Sequence, residues 1–209
     1  MKRQYIGNLG KIENGIVAVT AYGLFKGMTF PLAFKIYKPK ERLLAGDTYK
    51  NKPIIAAEMI RELTAMGFKF SLVLADSLYG ESDGNFISVL NELKLDFAVA
   101  IRSNHGVWLP PGQTIRYNKW RKFIRVFSDA KTEVRYIRQI IFGKRHPIQY
   151  WQITTDPDTL PENSTWWVMT LVPGIKYNEV GNLYGLRNWV EYRVQLSPAG
   201  NRRETTALA

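Results

Sequence analysis

Two carboxylates hold the positions in this chain from which chemistry could be done. Asp76 follows the apolar run of residues 71–75 in the stretch FSLVLADSLYG, residues 70–80. A short apolar run bounded this way reads as a strand buried on both faces, as in a parallel sheet covered by helices. In such sheets ligands collect beyond the carboxyl ends of the strands, so Asp76 is set at a crevice. A carboxylate there costs energy unless something positive joins it; taken alone, the stretch reads equally as a capping Asp for the next helix. Glu191 is the second. Between residues 178 and 194, Leu183, Leu186, Val190 and Val194 form one helical stripe, while Tyr184, Arg187 and Glu191 form another. On an isolated helix Arg187 and Glu191 would be a surface ion pair worth about 0.3–0.5 kcal/mol.

Other chemistries find little support. There is no phosphate-binding loop of the Walker type and no G-x-G-x-x-G, and His105 and His146 are too few and too scattered for a histidine metal site. Residues 80–84, GESDG, match the G-x-S-x-G elbow of serine hydrolases, the distant alternative. That elbow needs its Ser on the sharp turn leaving the strand. Ser82 lies six residues past Asp76, and the carboxylate holds the exit.

The elements that must position these residues follow from patterning. Residues 15–25 and 28–37 are β-rich runs joined by Lys26-Gly27, which reads as a hairpin. Pro31 sets the second strand at an edge or a bulge. After a polar loop, Pro53 opens a helix with Ile55, Met59, Leu63 and Met66 on one face and Gly67 at its end. The Asp76 strand, a helix over residues 85–94 and a strand over 96–101 complete a βαβ unit.

Beyond residue 101 the character changes. Residues 102–146 carry eleven Lys and Arg against Asp129 and Glu133, nine of the net +11 charges. Trp108, Tyr117, Trp120, Phe123, Phe127 and Tyr136 are interleaved, and the period-two patterning predicts a β-rich insertion over residues 103–165. Cations mixed with π-faces fit a nucleic-acid surface, with Arg102, Lys119, Arg121, Lys122 and Arg125 as candidate contacts. Residues 166–194 return to an apolar strand and the Glu191 helix. Residues 195–209 show no helical period, and Pro198 with Gly200 would stop a helix.

With 209 residues, 45% of them hydrophobic, the chain can bury a substantial core. The absence of cysteine excludes disulfides and thiolate metal sites and fits a reducing compartment. The basic start lacks an apolar secretion segment, and no uncharged apolar run is long enough to span a bilayer. A soluble, intracellular protein with an anionic partner is expected.

These residues together resemble the DDE-type transposases of bacterial insertion sequences, the DDE superfamily endonucleases. The resemblance runs from about Gln4 to Tyr192, carried by QYIGNLGKIENG, LADSLYG and YGLRNWVE. The last is similar to the family's Tyr-x2-Arg-x3-Glu-x6-Lys pattern. The resemblance implies an α/β fold, a ribonuclease H-like core with a β-rich insertion, and metal-dependent DNA cleavage and strand transfer. It makes Asp76 and Glu191 the catalytic, metal-binding carboxylates and Tyr184 and Arg187 contacts to DNA phosphate. The implied cofactor is Mg²⁺ or Mn²⁺ in a two-metal site, for which oxygen ligands suit hard cations. The implied partner is insertion-sequence end DNA, in the cytoplasm at the nucleoid, with no membrane. The 114 residues between Asp76 and Glu191 fit the subgroup with a β-insertion.

Two departures set further expectations. No carboxylate precedes Glu13, so the family's first strand and its Asp are expected to be missing, and the pattern's Lys falls on Pro198. The chain by itself is therefore expected not to cut DNA, leaving a non-catalytic DNA-binding or structural remnant as the alternative. An uncovered strand edge would invite pairing with a second copy, as a homodimer.

Overall fold

In the computed structural model, the backbone is described for residues 2–6, 11–107, 109, 111–127, 129–142, 147–195 and 204–208, and the side chains for 15–107, 109, 111–127, 129–142 and 147–186. The chain divides into two units, Met1–Lys69 with Val190–Ala209, and Phe70–Trp189. The fold is mixed α/β.

In the first unit, β1 (Lys2–Ile6) and β2 (Lys11–Gly15) pair antiparallel. Strands β3 (Val17–Phe25) and β4 (Met28–Ile36) form the expected hairpin. Lys26 and Gly27 take φ of 49° and 76°, the double positive-φ turn whose twist matches a two-residue hairpin. Pro31 lies at a register shift and on the edge strand, where its missing N–H costs no ladder bond. Helix α1 (Lys52–Ala65) starts at Asn51, whose Oδ1 accepts from the Ile54 N–H at 2.9 Å. Ile55, Met59 and Leu63 are buried as their spacing predicts, but Met66 is 72% exposed. The helix ends one residue earlier, at Ala65, and Met66 caps it.

The second unit begins with β5 (Val73–Ala75), two residues shorter than its apolar run, and the short α2 (Ser77–Gly80). The helix expected over 85–94 is a π-helical turn, Asp83–Ile87, followed by α3 (Ser88–Glu92). Widening the turn lets consecutive Phe86 and Ile87 both point inward, at 0% and 1% exposure. Strand β6 (Phe97–Ile101), buried along its whole length, pairs parallel to β5, as the βαβ reading requires.

The basic stretch supplies β7 (Ile115–Tyr117), β8 (Arg121–Val126), β9 (Thr132–Phe142) and β10 (Gln149–Thr154). Strand β11 (Trp166–Thr170) then pairs antiparallel to β6. The result is one seven-stranded sheet in the order β5-β6-β11-β10-β9-β7, with β8 also on β9. Backbone pairing thus runs without a break from the Asp76 strand into the basic strands. Helix α4 (Tyr177–Gln195) follows. Glu204–Leu208, in the tail without readable periodicity, forms β12 and pairs parallel to β3 in the first unit.

Candidate active site and nucleic-acid surface

Asp76 stands at the carboxyl exit of β5 and caps α2. Its Oδ1 accepts from the Leu78 N–H at 2.8 Å, and its carbonyl accepts from the Gly80 N–H at 3.0 Å. Cap and crevice are therefore compatible: one carboxylate oxygen is fixed by the backbone, and Oδ2 has no hydrogen bond among the described residues. The turn beneath is rigidly seated. Tyr79 is fully buried with its ring 5.3 Å from Phe86. A Cβ on Gly80 would stand 1.9 Å from the Ala100 carbonyl oxygen, so only glycine lets α2 lie directly on β6.

Next to this exit is a pair that sequence reading missed. Glu81 Oε1 accepts from the Arg102 N–H at 2.7 Å, and both Glu81 oxygens lie 3.1 Å from His105 Nδ1. The partners are 21 and 24 residues apart, so no local pattern announces them. They meet because β5 and β6 are parallel neighbours whose carboxyl ends open side by side. The His105 ring engages Glu81, while the Ser82 hydroxyl accepts from Asn85, so among the described residues the G-x-S-x-G match has no general base on its hydroxyl.

Burial pushes the Glu81 carboxyl up, but the Arg102 N–H and His105 outweigh it and hold it below the usual carboxylate range. A depressed carboxylate contributes stability that is full above its unfolded pKa and is lost as pH falls through the folded value. In urea unfolding, the stability advantage of the wild type over Glu81→Gln is thus expected to shrink as pH drops from about 5 to about 3. A pH-independent difference between the two would show that the clasp does not depend on charge.

Helix α4 is fitted to the sheet along a small-residue face. A Cβ on Gly181 would lie 2.2 Å from the Phe123 ring, and one on Gly185 3.3 Å from Arg125 Nε. Between them, Asn182 accepts from the Val126 N–H and donates to the Ile124 carbonyl, both at 3.2 Å, satisfying backbone groups of β8. Tyr184, expected at DNA phosphate, is 5% exposed and packs edge-on against Trp166 at 5.9 Å. The side chains of Arg187 and Glu191 lie outside the described residues.

The candidate DNA contacts separate into three groups. Arg102, Lys119, Arg121 and Lys122 are exposed. Lys119 and Arg121 line one cavity, Lys122 alternates to the opposite face of β8, and Arg102 follows β6. Arg125 requires correction as a surface contact: it is 3% exposed, its guanidinium 4.9 Å from the Trp166 ring centre and 4.5 Å from that of Phe127. Arg135 lies 4.2 Å from the same Trp166 ring and pairs with Glu133 at 2.7 Å. Alternation gave the signal: in RKFIRV, Arg125 shares the inward face with Phe123, while Ile124 and Val126 face out at 59% and 46% exposure.

Among the described residues, no three His, Asp or Glu side chains group to hold a metal. Asp76 offers the chemistry a hard cation wants, a fixed carboxylate with one oxygen uncommitted. No helix among the described residues is long and apolar enough to cross a membrane.

Comparison with known proteins adds two matches. A family model for DDE superfamily endonucleases matches residues 1–123. The probable transposase for insertion sequence element IS701 of Microchaete diplosiphon is 66% identical over 197 residues, covering 94% of this chain and 52% of its own length. The chain thus spans about half the length of this relative. No solved structure matches it.

Proposed function

The chain belongs to the DDE superfamily endonucleases, as a DDE-type insertion-sequence transposase, and from that premise we propose that it carries part of a metal-dependent DNA cleavage and strand-transfer site. Asp76 and Glu191 are the carboxylates of that site and would hold Mg²⁺ or Mn²⁺. A bound pair of such ions stabilises the attacking and leaving oxygens of a phosphodiester. The observation that carries the reading is Asp76 itself: it sits at the exit of a buried parallel strand, one oxygen held by the Leu78 N–H, the other uncommitted. Holding the carboxylate before the cation arrives lowers the ordering cost of binding it.

On this reading the core is ribonuclease H-like, made of residues 1–102 and 166–194, with 103–165 as a DNA-facing insertion and 195–209 as a tail. Exposed Arg102, Lys119, Arg121 and Lys122 contact phosphates of insertion-sequence ends, and α4 presents Arg187 and Glu191. Tyr184 and Arg125 act from the interior, as positioning residues that seat α4. Nucleoid association in the cytoplasm follows from the DNA partner.

A second reading, DNA binding without cleavage, needs only the exposed cations Arg102, Lys119, Arg121 and Lys122. A polypeptide of these 209 residues identifies two carboxylates of the three the chemistry uses, and its cleavage is proposed to be impaired. One experiment addresses binding and cleavage together. Element-end duplex is titrated with the polypeptide at several salt concentrations, then incubated with Mg²⁺ or Mn²⁺ and scored for nicks. Affinity is expected to fall steeply with salt, losing about one unit of slope per phosphate contact removed. No nicking above an Asp76→Ala control is expected. Salt-insensitive binding would remove the DNA reading, and nicking abolished in the control would mean that another residue supplies the third ligand.

A further inference from the structure

A cavity of about 330 Å³ opens among the turn between β7 and β8, strands β8, β9 and β10, and the segment leading into α4. Three cations flank it, Lys119, Arg121 and Lys176, and no acidic residue lines it; Arg138 borders it too, but its side chain, opposite Gln152, points to the other face of the sheet. Among the described residues none of these three side chains pairs with a carboxylate, while the Lys176 backbone N–H donates to Glu179 Oε2 at 2.8 Å. Lys176 comes from outside the basic stretch, so its arrival is a product of folding and not of local charge density.

Arg121 is held by a group that leaves its charge available. Arg121 stands 5.1 Å from the Tyr177 ring centre. Stacking on π-faces fixes a guanidinium without neutralising it. The Trp151 side chain lines the same cavity, 7% exposed, and its indole N–H is buried without a partner among the described residues.

We propose that this cavity binds a nucleoside phosphate monoester, either the phosphorylated end of a DNA strand or a free mononucleotide. Three side-chain cations without a carboxylate partner match a dianionic monoester better than the single charge of an internal phosphodiester. The volume falls at the lower end of the range of about 300–1,000 Å³ for small organic ligands, leaving room for a sugar beside the phosphate. Apolar Ile137 and Ile175 in the lining suit the uncharged part of such a ligand. The inference rests on the reading of this region as the DNA-facing part of a transposase and gives it a preferred feature of the strand.

Fluorescence anisotropy with a short single-stranded oligonucleotide tests it, the strand carrying a phosphate at its 5′ end, at its 3′ end or at neither. A phosphorylated form is expected to bind about tenfold tighter than the bare strand, the value of one charge-assisted contact set. Lys176→Ala and Lys119→Ala, both at exposed positions, should bring that ratio close to one. Lys122→Ala, on the opposite face of β8, should weaken all three strands alike and keep the ratio. Displacement by thymidine monophosphate identifies a mononucleotide site; resistance to it identifies a strand-end site. A ratio near one in the wild type, or one that survives Lys176→Ala, overturns the proposal. If duplex binding stays salt-sensitive in that case, only the pocket fails; if duplex binding is absent, the broader reading fails.

Discussion

Gly181→Ala is expected to destabilise the protein by about 2 kcal/mol, whereas Gly185→Ala, one helical turn on, is expected to be neutral or slightly stabilising. Replacing a helical glycine by alanine gains about 1 kcal/mol in propensity. At Gly185 the new methyl would meet Arg125 Nε at 3.3 Å, a contact a small shift can absorb. At Gly181 it would overlap the Phe123 ring at 2.2 Å. Phe123 is 5% exposed, so the ring has nowhere to turn. Either it leaves its rotamer or α4 lifts off the sheet, and both exceed the propensity gain. Lifting would also strain the bonds from Asn182 to Ile124 and Val126. Urea unfolding of the two variants gives the comparison, and Phe123→Leu added to Gly181→Ala should recover part of the loss. Equal effects at the two glycines would mean that the helix is not seated on this face.

That seating explains which parts of the site could be read from sequence. The buried parallel strands were legible because both their faces are covered: β5 and β6 are runs of apolar residues with a polar residue at the exit. The position of Asp76 at the exit of β5 was legible for the same reason. The β3–β4 hairpin was legible through Lys26-Gly27 and Pro31, whose backbone limits are intrinsic to the residues. Groups that depend on contact across the sheet were not. Glu81 with His105, and Asn182 with the β8 backbone, join residues 24 and 56 or more positions apart.

Charge counting also hid a distinction that alternation reveals. Arg121, Lys122 and Arg125 look equivalent as members of a basic stretch. In the strand they face cavity, solvent and interior, because side chains alternate and Phe123 fixes which face is inward. A strand whose aliphatic Ile124 faces out while Arg125 faces in departs from simple hydrophobic patterning. Arg125 and Arg135 are accommodated there by Glu133 and by the Trp166 ring, which offsets the cost of burying guanidinium groups.

Asp76→Asn is expected to leave stability within about 0.5 kcal/mol, because Asn caps a helix as well as Asp does and still accepts from the Leu78 N–H. It removes the charge and the uncommitted anionic oxygen, so divalent cation affinity should fall by at least about tenfold. The most direct measurement is paramagnetic broadening of assigned amide signals on titration with Mn²⁺. A metal held by Asp76 and Glu191 should broaden the amides of Ser77 and Leu78 together with those of residues 189–193, and Asp76→Asn should abolish both sets at the same Mn²⁺ concentration. Broadening centred elsewhere, or unchanged in Asp76→Asn, would contradict the assignment of Asp76 as a metal-binding carboxylate.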